Sequence, residues 1–209
     1  MRIGREDVLI IVDVQNDFCP GGALEVCEGD AVIEPIHHIA EQFEHIVLTQ
    51  DWHPANHTSF AAMHPGRNPF ETIELAYGAQ TLWPAHCVQG SRGAELHEGL
   101  RLMRAELIVR KGFDAAIDSY SAFFENDRRT PTGLAGYLRE RGFVRCFFAG
   151  LAYDYCVGYS ALDARRLGFE AVVVRDACRA IDLNGSAVGI EAEFRSANVT
   201  VIESRELYA

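Results

Sequence analysis

The sequence predicts a doubly wound α/β fold: a mostly parallel, six-stranded sheet with helices on both faces. Three observations carry this expectation. Short apolar runs rich in β-branched residues recur along the chain, as strands buried on both faces require. A stretch with apolar residues at helical spacing follows most of them, and this alternation is the signature of crossover connections in a parallel sheet. Polar residues with chemical capability then stand at the carboxyl ends of the runs, where open parallel sheets bind their ligands.

The elements follow in order. "VLIIVDV" (8–14) is too short for a helix and reads as the first strand. In "GDAVIEPIHHIAEQFE" (29–44), Ile33, Ile36, Ala40 and Phe43 recur at helical spacing, Asp30 is the expected N-cap, and Pro35 falls in the opening turns, where a missing N–H costs least. "HIVLTQD" (45–51) is the second strand, and 52–92 reads as a long irregular segment, a length that in a compact domain marks a functional loop. Beyond it the pattern predicts a helix over 94–103, a strand over 106–111, a helix over 132–141 and a strand over 144–150. A helix over 155–168, a strand over 170–176, a helix over 186–195 and a strand over 198–203 complete the alternation. With no repeat, low-complexity tract or linker, all 209 residues are expected to form one domain.

Composition narrows the partners. A formal charge of -11 without any long Lys/Arg cluster disfavours nucleic acid and anionic membrane surfaces. Charges interrupt the first residues where a secretory signal needs an apolar core, and no run reaches the roughly 18–20 residues of a membrane span, so a cytoplasmic location is expected. Six scattered cysteines without a C-x-x-C pair are then free thiols.

Chemistry gathers at the strand ends. Asp13 closes the first strand, Asp51 the second and Lys111 the third, while Cys156 follows the fourth by a short turn. Asp51 and His53 are two apart, so on an extended strand end both point the same way. With His86 from the long loop they make a carboxylate and two imidazoles, a set suited to zinc, manganese or iron; His57 and Ser59 are reserve ligands. Cys156 stands where a helix begins, a place that lowers a thiol's pKa and favours thiolate. Asp13 is the expected base for it and Lys111 the counter-ion of that carboxylate. The turn "GLAYDYC" (150–156) offers backbone N–H groups to a developing oxyanion. No G-x-G-x-x-G follows a strand, and neither a Walker motif nor a serine elbow is present.

The segments "DVQNDFCPGGAL" (13–24), "TQDWHPANHTSF" (49–60), "WPAHCVQGS" (83–91), "RKGFD" (110–114), "YSAF" (120–123) and "GLAYDYCV" (150–157) resemble, in order and spacing, the nicotinamidase/pyrazinamidase branch of the isochorismatase-like cysteine hydrolases. The resemblance spans almost the whole chain. It implies Asp13, Lys111 and Cys156 as a catalytic triad and Asp51, His53 and His86 as ligands of one divalent metal, zinc first, with manganese or iron as alternatives. It implies Phe18, Trp83 and Tyr120 at a pyridine pocket, the N–H groups of Ala152 and Cys156 as the oxyanion hole, and a cis peptide just before Ala152. Tyr153 departs from the threonine many relatives carry there. The implied activity is hydrolysis of nicotinamide, and of pyrazinamide, through a cysteine thioester, in NAD salvage. The implied partner is that small molecule, with homo-oligomerisation left open. The rival reading is another amidohydrolase of the superfamily, acting on a ureide, carbamoyl compound or other amide.

Overall fold

The computed structural model describes residues 1–208. Its sheet is built from β1 (Asp7–Val12), β2 (His45–Asp51), β5 (Leu107–Lys111), β6 (Arg145–Leu151), β7 (Glu170–Arg179) and β8 (Thr200–Ile202), in the order β5-β2-β1-β6-β7-β8. All five pairings are parallel, as the continuous apolar runs predict. Alternate residues of β1 enter two separate cores. Leu9 and Ile11 pack with Ile36 and Ile39 of α1 (Ile33–Ala40) on one face. Val8, Ile10 and Val12 pack on the other, with Leu138 of α2 (Leu134–Glu140), Ala161 of α3 (Gly158–Arg166) and Phe194 of α4 (Ser186–Ala197).

The chain runs from β1 toward β2 and β5 on one side, then returns to place β6 on the other. The crevice at the carboxyl ends of β1 and β6 is therefore the topological switch point, where such sheets hold ligands. The two strands are in close contact there. Gly150 pairs with Val12 and has φ +117°, and a Cβ at this position would lie 2.1 Å from the Val12 carbonyl oxygen, so only glycine fits.

Four expectations are corrected. Residues 94–103 form turns instead of a helix, because their backbone groups are spent on the strap that leaves β1. Asn16 N–H donates to the Glu95 carbonyl and His97 N–H to the Val14 carbonyl, with Gln15 and Leu96 in an antiparallel bridge. The 52–92 segment is not wholly irregular: β3 (Thr72–Leu75) and β4 (Gly78–Thr81) form an antiparallel hairpin whose turn uses Gly78 at φ +118°. Asp30 is not an N-cap, since a 3-10 turn, Gly29–Val32, precedes α1 and its side chain caps nothing. Finally, Cys156 lies in a single π turn, Tyr153–Val157, before α3, closed by Val157 N–H donating to the Ala152 carbonyl.

Candidate active site

The strand ends bring the sequence-predicted residues together. Register pairs Asp51 of β2 with Lys111 of β5, and Asp13 follows β1 between them and the β6 turn. Lys111 is fully buried, and its ammonium lies 2.9 Å from Asp13 Oδ2, 3.3 Å from Cys156 Sγ and 3.0 Å from the Ser119 carbonyl oxygen, to which it donates. It also pairs directly with Asp51 Oδ1. One cation thus neutralises two buried carboxylates and faces the thiol, an arrangement that offsets the cost of burying each charge.

Protonation follows from these contacts. Burial pushes the Asp13 carboxyl above its ordinary range, against the opposing pull of Lys111. Burial acts on Asp51 in the same sense, but Lys111 and His53 overcome it and hold that carboxyl well below the usual range. Lys111 stays charged because the two carboxylates outweigh its desolvation. Burial also raises the Cys156 thiol, Asp13 and Asp51 adding to it and Lys111 opposing. This corrects the expectation of a lowered thiol pKa: the sulfur is enclosed, so its proton needs an acceptor in contact. Asp13 offers a carboxylate oxygen within 4.8 Å of the Cys156 sulfur. Thr49 Oγ donates to Asp13 Oδ1 at 2.6 Å, whereas Oδ2 has no aligned hydrogen bond and keeps acceptor capacity.

Next to this cluster, donor atoms of Asp51, His53 and His86 lie within 4.8 Å of one another, all three side chains buried. His53 Nδ1 is 2.8 Å from the Gly112 carbonyl oxygen and His86 Nδ1 2.8 Å from that of Pro84. Each ring thereby keeps Nε2 for a ligand and has its orientation set by a carbonyl, as metal-binding imidazoles require. A carboxylate and two such imidazoles fit a zinc, manganese or iron ion. The reserve ligands serve each other: His57 Nδ1 is 2.7 Å from Ser59 Oγ, and His57 Nε2 faces the Ile117 carbonyl oxygen at 3.2 Å. His53, His57 and Asp118 form a second group of donors, but Asp118 Oδ2 accepts from Gln80 Nε2 at 2.6 Å, so its members are already engaged. A third group, Asp13, Asp51 and Cys156, is spanned by the Lys111 ammonium and is unsuited to a cation.

One cavity joins the two clusters. Cys156, Asp51, His53 and His86 line it together with Phe18, Trp83 and Tyr120, the predicted aromatic positions, and with Ala152. The Leu151–Ala152 peptide is cis. Tyr153 points elsewhere, packing edge-on to Phe194 in the core, so its departure from threonine is absorbed away from the cavity. Several contributors escaped sequence reasoning. Thr49 reads as one polar residue in a buried strand, and Gln15, which brackets Asp51 by accepting from its N–H at 2.8 Å and donating to its carbonyl at 2.9 Å, reads as loop. Ser119, Tyr155, Leu24 and Ile181 reach the cavity only through tertiary folding.

This site and fold define a class, and comparison with known proteins agrees. The isochorismatase domain model matches residues 7–206. The chain belongs to the isochorismatase family, and within it to the amidohydrolases of the nicotinamidase/pyrazinamidase branch. It is 52% identical over 207 residues to the nicotinamidase of Acinetobacter baylyi, covering 99% of this chain and 97% of that one. The crystal structure of PnC1 from L. infantum in complex with nicotinate superposes with a TM-score of 0.87 at 42% identity, covering 99% and 98% of the two chains. The pyrazinamidase of Pyrococcus horikoshii in complex with zinc gives 0.76 at 36% identity, covering 95% and 99%. Among the described residues no helix is long and apolar enough to cross a membrane.

Proposed function

We propose that this amidohydrolase converts nicotinamide to nicotinate and ammonia through a cysteine thioester, accepts pyrazinamide as well, and serves NAD salvage in the cytoplasm. The observation that carries the reading is the contact of Cys156 Sγ with Lys111 Nζ, itself paired with Asp13, Cys156 lining one cavity with Asp51, His53 and His86. The ring of the substrate lies among Phe18, Trp83 and Tyr120, with its carboxamide over Cys156. Asp51, His53 and His86 would hold a divalent ion, which would supply a Lewis acid beside the substrate ring and so serve orientation rather than water activation.

The chain's own groups carry the protons. Asp13 takes the proton of the Cys156 thiol as sulfur bonds to the carboxamide carbon, and the oxygen charge is met by the N–H groups of Ala152 and Cys156. Asp13 returns that proton to the nitrogen as the C–N bond breaks and ammonia leaves. It then takes a proton from water as the oxygen attacks the thioester and gives it to the sulfur as the C–S bond breaks, leaving the thiol and nicotinic acid, which ionises to nicotinate on release. Lys111 holds the charge of Asp13 and of the sulfur throughout.

Ammonia release from nicotinamide by the purified protein, with Cys156→Ala and His86→Ala alongside, tests the reading. Turnover by the wild type that falls by orders of magnitude in both variants supports it. A wild type that binds metal stoichiometrically and releases no ammonia refutes the substrate and directs the assay to ureides, carbamoyl compounds and other amides.

A further inference from the structure

A second cavity, of about 340 Å³, adjoins the active site. Tyr120 lines both, Ser119 lines the first and Ser121 the second, so residues 119–121 are the partition between them. Glu125, which the mechanism above does not use, lines the second cavity while only 2% exposed. Its Oε2 meets no hydrogen-bond donor among the described residues. A buried carboxylate oxygen without a donor is costly and rare, and a cation in the adjoining cavity would satisfy it.

The surroundings decide what kind of ligand. The rings of Tyr77, Phe124 and Tyr159 join Tyr120 in the wall, and aromatic surfaces beside a carboxylate suit a compact cation. The other charges are spoken for or lie outward. Asp127 accepts from the N–H groups of Arg129 and Thr130 and from the Thr130 hydroxyl. Asp163 pairs with Arg166 at 2.8 Å, and both Arg166 and Arg128 are exposed, at the mouth of the cavity. Burial pushes the Glu125 carboxyl up to about 7, against the Ser119 hydroxyl and the Lys111 ammonium, with Asp118 and Asp51 adding to the rise.

We propose that this cavity binds a small monovalent cation through Glu125 and that, in turnover, it takes the ammonium ion. The identity of the ion rests on the reading of the reaction given above. Each turnover releases ammonia beside Cys156 while the acyl group still fills the aromatic-walled cavity, and ammonia that attacks the thioester again merely restores the amide. Ammonia that crosses the 119–121 partition to a protonated Glu125 takes its proton. An N–H bond forms as the O–H bond breaks, and the ammonium left paired with carboxylate is no longer a nucleophile.

Thallium(I), a stand-in for ammonium of similar size, tests the site directly. Wild-type crystals grown with it are expected to show an anomalous peak in the cavity, in contact with the Glu125 carboxylate, and Glu125→Gln crystals to lack it. In solution at pH 8, ammonium chloride is expected to raise the Tm of the wild type above that in equal tetramethylammonium chloride, and to leave the Tm of Glu125→Gln unmoved. A thallium peak confined to cysteine sulfurs, or no peak at Glu125, overturns the proposal from wild-type crystals alone, even if the variant fails to fold. A peak at Glu125 in a protein that releases no ammonia from nicotinamide supports the cation site and overturns its link to ammonia.

Discussion

Lys111 Nζ stands 3.3 Å from Cys156 Sγ, a buried cation in contact with the atom on which negative charge develops when the thiol proton leaves. The same ammonium pairs with Asp13 and Asp51, so replacing it leaves two buried carboxylates without a counter-ion. Lys111→Met, close in shape and uncharged, is therefore expected to cost about 3–5 kcal/mol of stability, which lowers Tm on the order of 10 °C. Alkylation of Cys156 by iodoacetamide separates the chemical role from the structural one. In folded Lys111→Met its pH dependence should move upward, and an unmoved profile at lowered Tm leaves Lys111 a purely structural residue.

Thr49 holds Asp13 from both sides, accepting from its N–H at 3.2 Å and donating to Oδ1 at 2.6 Å. The donated bond favours the ionised carboxylate, the form that the proposed mechanism requires of Asp13. In Thr49→Val that stabilisation is lost, the Asp13 carboxyl rises further, and the acidic limb of kcat/KM moves to higher pH. A hydrogen bond to a charged group contributes about 1.5–3 kcal/mol, so activity at neutral pH should fall roughly 10- to 100-fold. A pH profile unchanged in position, at any activity, removes Thr49 from this role.

Much of this arrangement is legible in the sequence because parallel strands convert order along the chain into position at one edge. Asp13, Asp51 and Lys111 each end an apolar run, and a sheet of such runs has one chemical edge, so their meeting needs no side-chain detail. The register of β2 on β5, which sets Asp51 against Lys111, follows from where the two runs end. The failures have the opposite cause. Helical spacing over 94–103 lost to tertiary hydrogen bonds with residues 14–16, and nothing local in that segment announces its partner. The raised thiol of Cys156 was hidden for the same reason: a helix start is a local feature, whereas enclosure beside Asp13 and Asp51 comes from three separated strand ends. Glu125 is one acidic residue among 30, and only its burial without a donor distinguishes it.

The metal cluster has its own test. Dialysis against a strong chelator is expected to abolish ammonia release, and one equivalent of zinc, manganese or iron(II) to restore it. Elemental analysis should find one ion per chain in the wild type and clearly less in His86→Ala, whose loss leaves Asp51 and His53 as a two-ligand remnant. Equal metal content in the two proteins rules His86 out as a ligand. Such a result turns attention to His57, whose ring lies 4.2 Å from that of His53.

The pH dependence of stability exposes Glu125 independently of any ligand. Its carboxyl is raised by burial from an ordinary 4.5 to about 7, so the fold favours the neutral form. The sign follows from linkage. Below pH 4.5 the group is protonated whether the chain is folded or not. Between 4.5 and 7 the unfolded chain ionises first, and above 7 the folded protein carries the full cost of an ionised, donor-poor carboxylate. Wild type should therefore lose stability across that window relative to Glu125→Gln, which keeps the shape and does not titrate. The two proteins are expected to have similar Tm values near pH 5 and to separate by pH 8, with the variant the more stable. Ammonium at pH 8 should narrow that gap by supplying the missing donor. A variant that is the less stable of the two at pH 8 means that the Glu125 carboxylate is satisfied within the folded chain, and it removes the physical ground for a cation there.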